Sequence, residues 1–266
     1  FPLASAEARV AGDIVAIDRH ERNLGLGGAR NTGIRVARAP YVAGVDSDDY
    51  IHPAMMETLW TAAAGQQADV VECGFEQVAE DGTVLGRYSP PARHLDNSEH
   101  RIDVFSELKY AFWNKLWRRT LFAENGIEFP NRLYFEDLAT TPRLLACARD
   151  IRTIPDALYC YVTRPSSIST SWSPKHMLDY FKCFDLLADF LREHGLEQQY
   201  LPALLDCIGP NLHYHATTVL GSGMSRKDKE RYLRHLLMLK LGFVRHHERL
   251  RDMSVQELRR ALLDEI

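Results

Sequence analysis

The chain has 266 residues, of which 45% are hydrophobic and 26% are charged, and its formal net charge is −4. This composition is typical of a folded globular protein and excludes a disordered or fibrous chain. The even charge balance predicts no nucleic-acid partner, because nucleic-acid binding needs a clear basic excess. No run of roughly 18 apolar residues occurs, so the sequence predicts no transmembrane helix.

Short apolar runs alternate with helical patterns in the first half of the chain, as they do in βα units. The predicted strands are residues 14–17, 41–45 (buried on both faces), 68–77, 151–154 and 158–162, with a hairpin turn at 80–82. The predicted helices are residues 28–38, 53–65, 104–110, 119–125 and 135–148, and residues 1–11 are interpreted as the end of a further helix. From residue 174 the pattern is helical, with breaks near Gly195, Gly221 and Gly242. The sequence thus predicts an α/β domain over 1–169 and a helical domain over 170–266.

Three aspartates, Asp46, Asp48 and Asp49, follow the predicted strand at 41–45. Ligand sites of open α/β sheets lie at the carboxyl ends of strands, and two acids spaced i, i+2 can approach one divalent cation. Two other interpretations stay open at this point. Asp49 could cap the helix that follows. The D-x-D pair could also serve a dehalogenase-type phosphatase, although Asp49-Tyr50 departs from that motif.

A glycine-rich segment at residues 23–33 precedes the aspartates. Glycines such as Gly25 let the backbone approach a phosphate or sugar closely, and a helix N-terminus favours an anion there. Arg30 and Asn31 would add side-chain donors at the same place. A segment of this kind is also typical of a simple turn before a helix.

Four segments, taken in order, resemble the family 2 glycosyltransferases of the GT-A fold. They are N-x-G-x-x-x-A-R-N-x-G at 23–33, D-S-D-D at 46–49, W-N-K-L-W at 113–117 with Y-F-E-D-L at 134–138, and L-Y-C-Y-V-T-R-P-S-S-I-S at 158–169. The resemblance covers residues 14–169. It implies a GT-A, Rossmann-like sheet of the α/β class, followed by a helical C-terminal region.

The same resemblance implies roles for the acidic residues. Asp46 and Asp48 would bind Mn²⁺ or Mg²⁺ and, through it, the diphosphate of a nucleotide-sugar donor, since a divalent cation stabilises the charge of the leaving group. Asp137 would be the catalytic base for the acceptor hydroxyl, with Glu136 as its neighbour in the motif. Both acids also suit the start of the helix at 135–148, because carboxylates favour the positive end of the helix dipole.

The resemblance also implies a set of donor contacts. The residues expected to line the donor site are Asn23, Gly25, Arg30, Asn31, Asp46, Lys115 and Arg164. Arg164 lies in a Ser-rich loop of the kind that folds over the donor in relatives. Lys115 lies between Trp113 and Trp117, so it could instead extend over an aromatic patch, and both tryptophans suit a core.

The sequence departs from the family pattern at its start. Members of this family begin with a strand, a helix and a second strand ending in an Asp-Asp-Gly-Ser segment, and these elements hold the base and the ribose. Nothing before Asn23 matches this βαβ unit, which spans roughly 30 residues. We therefore expect an incomplete GT-A domain, in which base-binding residues cannot be assigned and full activity is not expected.

The region 225–251 combines many basic residues with interleaved apolar ones. One interpretation is a packed helix with a solvated basic face. The other is a peripheral membrane contact with anionic lipid, or a contact with a polyanionic glycan acceptor.

Together these features predict an inverting glycosyltransferase that moves a sugar from a nucleotide diphosphate to a hydroxyl of a glycan or lipid-linked glycan acceptor. Its expected role is surface polysaccharide or cell-wall glycan synthesis, in the cytoplasm or at the inner face of the membrane. One alternative is a non-catalytic module that binds a glycan or a protein partner. A D-x-D phosphatase is the other alternative.

Overall fold

The computed structural model describes residues 6–10, 13–17, 20–63, 65, 67–99, 108–164, 174–197, 199–200, 216–217 and 219–240. The strands are β1 (Ala6–Val10), β2 (Asp13–Ile17), β3 (Tyr41–Ala43), β4 (Tyr50–Ile51), β5 (Val70–Ala79), β6 (Val84–Tyr88), β7 (Arg93–Asp96), β8 (Lys115–Arg118) and β9 (Asp150–Thr163). The helices are α1 (Gly25–Val36), α2 (Met55–Ala62), α3 (Thr120–Glu124), α4 (Glu136–Cys147), α5 (Pro174–Glu193) and α6 (Arg226–Lys240).

A mixed sheet, with seven strands in the described part of the chain, forms the centre of the fold. Its two long strands, β5 and β9, are parallel neighbours. Along its side away from β9, β5 pairs first with β8 and then with β6. Along its side away from β5, β9 pairs first with β7 and then with β4. β3 pairs with β8 at the edge of the sheet. This arrangement confirms the predicted α/β class.

Helices cover both faces of this sheet. Val70 and Val71 are successive residues of β5 and therefore point to opposite faces. Val71 packs in a cluster with Met55 and Leu59 of α2. Val70 belongs to a second cluster, which includes residues of α3, α4, α5 and α6. The C-terminal helices α5 and α6 thus share one hydrophobic core with the sheet.

The segments predicted at 151–154 and 158–162 belong to a single strand, β9. The register between β5 and β9 shifts on both sides of Gly74. A Cβ at Gly74 would lie 2.4 Å from the carbonyl oxygen of Tyr88, so a glycine is needed at this irregularity. Pro155 and Asp156 lie between the pairs Cys73–Ile154 and Gly74–Ala157, and they interrupt the apolar pattern without ending the strand.

Three predictions about local structure were wrong. Residues 6–10 are not the end of a helix but strand β1, paired antiparallel with β2, as the alternation in Ala-Glu-Ala-Arg-Val indicates. The strand predicted at 41–45 ends at Ala43, and it is not buried on both faces because it lies at the sheet edge. Residues 108–110 are not helical, and residues 100–107, like the break near Gly242, lie outside the described residues. Strands β4, β7 and β8 were not predicted.

The glycines of the segment 23–33 let α1 pack closely against residues 130 and 131. A Cβ at Gly27 would lie 2.4 Å from the carbonyl oxygen of Pro130, and one at Gly28 would lie 2.8 Å from Oδ1 of Asn131. The buried Asn31 holds the same segment, because its amide donates to the Phe129 carbonyl (2.8 Å) and accepts from the Phe129 N–H (2.9 Å). Helix α1 is thereby fixed against the chain that leads to α4.

This packing predicts opposite effects for two glycines of one helix. Gly27→Ala places a methyl group against rigid backbone and is expected to lower the free energy of unfolding by about 1–3 kcal/mol. Gly33→Ala is the matched control, because its Cβ would meet nothing within 4 Å. It is expected to raise the free energy by about 0.5–1 kcal/mol, the ordinary helix preference for Ala over Gly. Urea unfolding of both variants measures the difference, and equal effects would contradict the packing.

Candidate functional site

Arg30 of α1 brings together acidic residues from two parts of the chain. Its Nη2 lies 2.8 Å from Oδ1 of Asp46, and its Nη1 lies 2.7 Å from Oε1 of Glu136. The same Nη1 also pairs with Oδ1 of Asp137. We call Asp46, Glu136 and Asp137 the acidic cluster. The Arg30 side chain is only 8% exposed, so one buried guanidinium holds three carboxylates that would otherwise repel one another.

Two aromatic rings enclose Arg30. Its Cζ lies 5.3 Å from the ring centroid of Phe112 and 5.4 Å from that of Phe129, within the range of cation–π attraction. Gly44 makes room for one of them, because a Cβ there would lie 2.6 Å from the Phe112 ring. These rings exclude water from the guanidinium and thereby strengthen its ion pairs.

The two acids of α4 occupy the first turn of that helix, as predicted. Phe135, directly before them, has a left-handed backbone (φ 61°) that is rare for a bulky residue. Asp137 Oδ2 accepts a hydrogen bond from the Phe112 N–H at 3.1 Å. Glu136 and Asp137 therefore lie at the positive end of the helix dipole and also pair with Arg30. The helix-start and site interpretations are compatible.

The acids of α4 have raised pKa values. Burial, and next repulsion from Asp137, raise the pKa of Glu136 to about 7, although Arg30 opposes the shift. Burial also raises the pKa of Asp137, against the opposing effects of Arg30 and the Phe112 N–H. Burial would lower the pKa of Arg30, but the carboxylates, Asp137 first, outweigh it and raise that pKa. Glu136 therefore exchanges its proton near neutral pH while Arg30 stays charged.

The aspartates after β3 have different surroundings. The Asp48 side chain is 55% exposed, and Nη1 of Arg164 lies 3.5 Å from its Oδ2. Arg164 Nε also lies 3.4 Å from Oε1 of Glu80. Asp46 and Asp48 thus lie on one turn, the first held by Arg30 and the second open to solvent beside Arg164.

Asp49 anchors this turn to β9. Its carboxylate accepts hydrogen bonds from the Tyr159 hydroxyl (2.7 Å) and the Val162 N–H (2.8 Å). The Tyr159 oxygen in turn accepts the Asp46 N–H at 3.1 Å. Asp49 does not cap α2, whose N-cap is Ala54 and makes no side-chain cap bond. The helix-cap interpretation was therefore wrong, and Asp49 holds the turn instead.

The residues around Asp46 fit a divalent cation that is shared with a ligand. Among the described residues, no group of three or more His, Cys, Asp or Glu side chains is arranged to hold a metal by itself. Asp46 and Asp48 offer two carboxylates at i, i+2, and hard cations such as Mg²⁺ take one or two carboxylates with phosphate oxygens. This donor set suits a cation that arrives with a diphosphate.

For Lys115, the structure replaces the expected donor contact with a structural role. Its side chain is fully buried, and Nζ lies 2.8 Å from Oε2 of the equally buried Glu72. The ammonium also donates to the carbonyl oxygens of Lys109 (2.7 Å) and Ala111 (2.8 Å). Burial lowers its pKa, and Glu72 opposes that shift. The ion pair holds the loop that presents Phe112 to Arg30.

The predicted donor residues Asn23, Gly25 and Asn31 make contacts within the protein. Asn23 Oδ1 accepts the Gly25 N–H at 2.7 Å, and Gly25 is left-handed (φ 77°). The Asn31 amide is occupied by Phe129, so its predicted donor contact is likewise replaced by packing. Donor contacts of Asn23 and Gly25 stay predictions.

Sequence reasoning missed three residues that shape the site. Phe112 and Phe129 enclose Arg30, and Tyr159 fixes the aspartate turn. For the first two, the nearby motif residues 113–117 and 134–138 were a usable signal. Tyr159 lies in the segment 158–169 that resembles the family, but nothing in that pattern distinguishes it from the other aromatic residues of the strand.

Helix α6 confirms the packed-helix interpretation for residues 226–240. It buries Tyr232, Leu233, Leu236 and Leu237 while Arg226 and Lys227 are exposed. Residues 241–251 lie outside the described residues. Across the described residues, no helix combines the length and the apolarity that a membrane crossing requires.

Residues 3–130 match the family model described as Glycosyl transferase family 2. The chain is 32% identical over 159 residues to the uncharacterized glycosyltransferase EpsJ of Bacillus subtilis (56% of this chain, 45% of that protein). It is 29% identical over 192 residues to the succinoglycan biosynthesis protein ExoO of Rhizobium meliloti (69% and 53%). The chain thus spans about half the length of these curated relatives.

The fold is also similar to that of a solved structure. The crystal structure of S. aureus TarS 1–349 in complex with UDP-GlcNAc aligns with a TM-score of 0.65 and 21% identity, over 91% of this chain and 70% of that one. This likeness confirms the predicted GT-A fold. The homologues of this chain are glycosyltransferases.

The acidic cluster predicts how loss of Arg30 affects stability. Arg30→Met leaves the carboxylates without their buried cation and is expected to lower the free energy of unfolding by about 3 kcal/mol at pH 8. Without Arg30 the carboxyl pKa values of the folded variant rise further, because the guanidinium lowers them in the wild type. The variant therefore takes up protons as the pH falls, and the loss is smaller at pH 5. Arg35→Met on the same helix is the control, since Arg35 pairs with Glu128 at the surface. Urea unfolding at both pH values tests this, and a loss independent of pH would contradict it.

Proposed function

We propose that the protein is an inverting glycosyltransferase of family 2 that transfers a sugar from a nucleotide diphosphate to a hydroxyl acceptor. One observation supports this most: the D-x-D turn and the E-D helix start, about ninety residues apart in sequence, meet at Arg30. Glycosyltransferase homologues and a GT-A fold support the same function.

Asp137 is the base in this proposal. Its side chain is 21% exposed, so an acceptor hydroxyl can reach it, while Arg30 and the Phe112 N–H fix its orientation. Each carboxylate oxygen keeps a lone pair for the incoming proton. The deprotonated acceptor oxygen attacks the anomeric carbon, and the nucleoside diphosphate leaves from the opposite face. A single displacement of this kind inverts the anomeric centre and needs no covalent intermediate.

Asp46 and Asp48 are the proposed holders of Mn²⁺ or Mg²⁺, which when bound would offset the charge of the departing diphosphate. Arg164 lies beside Asp48, which supports a proposed role for it as a second positive charge near the diphosphate. The structure of TarS with UDP-GlcNAc supports a nucleotide-sugar donor.

Two relatives support a glycan as the acceptor in this proposal. One acts in succinoglycan biosynthesis, and another is a poly(ribitol-phosphate) beta-N-acetylglucosaminyltransferase. These names support a role in surface polysaccharide synthesis. Membrane contact through residues 225–251 and a cytoplasmic location stay predictions.

The function is tested by transfer and hydrolysis assays on the full-length protein with nucleoside-diphosphate sugars and Mn²⁺. Asp137→Asn is expected to lower kcat by about 10³-fold, because it removes the base. Asp48→Asn should raise the Mn²⁺ concentration needed for half-maximal rate, with kcat less affected. Glu128→Gln, an exposed acid, is the control.

Absence of Mn²⁺-dependent nucleotide release and transfer in the wild-type protein would overturn the proposal, as would full activity of Asp137→Asn. Binding of a glycan without turnover would favour the non-catalytic module. Hydrolysis of a generic phosphomonoester, without any nucleotide sugar, would favour the phosphatase.

The raised pKa values of the α4 acids predict the pH dependence. A base must be free of its proton, and Glu136 has a pKa of about 7, with that of Asp137 also raised. We therefore expect kcat/KM to rise with pH as this coupled pair of acids loses its proton, and to level off above. Glu136→Gln removes a neighbouring negative charge, so the rise should move to lower pH. Initial rates between about pH 5 and 9 measure this, and an unmoved profile would refute the coupling.

A further inference from the structure

The chain turns sharply just before the proposed base. Arg132 (φ 55°) and Phe135 (φ 61°) both have left-handed backbones, although neither is glycine. We call residues 132–135 the corner. Left-handed conformations at bulky residues persist only where the surrounding structure holds them. The corner sets where α4 begins, and therefore where Glu136 and Asp137 lie.

Helix α5 supplies the polar contacts that hold the corner. Asp179 Oδ2 accepts a hydrogen bond from the Tyr134 N–H at 3.0 Å. Lys175, one turn earlier, pairs with Asp179 and donates to the Arg132 carbonyl at 3.1 Å. Cys183, one turn later, donates from Sγ to the Phe135 carbonyl at 3.2 Å. Three residues spaced i, i+4, i+8 thus hydrogen-bond to three backbone groups of the corner.

Aromatic packing reinforces the same contact. His176 stacks on Tyr134 with ring centroids 3.9 Å apart. Tyr180 meets Phe135 edge-on at 5.6 Å. The Asp179 side chain is 13% exposed, so its bond to the backbone is shielded from water. These contacts come from residues 174–193, beyond the stretch 3–130 that matches the family model.

We propose that Asp179 is a positioning residue for Asp137: its bond to the Tyr134 N–H fixes the corner and thereby aims the base. The inference rests on the proposed function for what Asp137 does. In this proposal, the effect of Asp179 reaches the base through the backbone of residues 134–137. A shift of about 1 Å in a reacting group can cost on the order of 10²-fold in rate.

The test compares variants of one carboxylate in the full-length protein. Asp179→Ala removes the acceptor oxygen, and Asp179→Asn keeps one. Asp189→Ala is the matched control, because Asp189 lies on the same helix and pairs with Arg192 at the surface. We expect Asp179→Ala to lower kcat by about 10- to 100-fold with the donor KM changed less than about threefold. Asp179→Asn should restore most of kcat, and Asp189→Ala should match the wild type.

Amide hydrogen exchange provides a readout that is independent of activity. Peptides covering residues 133–138 should exchange faster in Asp179→Ala than in the wild type and Asp179→Asn, while peptides of β5 stay unchanged. Wild-type kcat in Asp179→Ala would overturn the proposal, as would a folded Asp179→Asn that fails to restore kcat. If the wild type transfers no sugar, the proposed function fails, and the exchange data alone then decide whether Asp179 holds the corner.

Discussion

The buried guanidinium of Arg30 lies between two aromatic rings and faces three carboxylates. Its contacts join α1, the turn after β3, the loop at Phe112 and the first turn of α4. Carboxylates this close repel one another, so the cation is what allows the two acidic motifs to lie side by side. Burial raises the pKa values of the α4 acids, and the single guanidinium opposes that shift without reversing it. The same interaction therefore determines both the geometry and the protonation of the site.

Two further sets of contacts hold the segments that surround Arg30 and its acidic partners. On one side, the buried pair of Glu72 and Lys115 fixes the loop at 109–112, so that Phe112 presents its ring to Arg30 and its N–H to Asp137. On the other side, α5 grips the corner at 132–135. A buried ion pair adds little net stability but defines one arrangement of the groups around it, which we take to be its value in this loop. The site is thus built by the sheet and the C-terminal helices together.

Much of this site could be predicted from the sequence because its signals are local. Aspartates directly after an apolar run indicate a strand end, and Glu136-Asp137 before a helical pattern indicate a helix start. The contacts of Arg30 were not predictable, since its partners lie 16 and about 106 residues away. The surroundings of Lys115 were hidden for a similar reason: the resemblance implied a donor contact, whereas its buried partner Glu72 lies on another strand. Strand β1 was missed although its sequence alternates, because it is only five residues long and residues 1–11 were interpreted as the end of a helix.

The site is also polarised between interior and solvent. Arg30 and Glu136 are 8% and 11% exposed, whereas Asp46 and Asp137 are 21% exposed and Asp48 is 55% exposed. A ligand arriving from solvent therefore meets Asp48 and Arg164 first, with Arg30 behind the carboxylates. In the proposed transfer, these carboxylates would repel a bare diphosphate, and a divalent cation would offset that repulsion. The site also leaves a carboxylate free for a neutral hydroxyl, which needs an acceptor for its proton. One arrangement of charge thus suits both substrates of the proposed transfer.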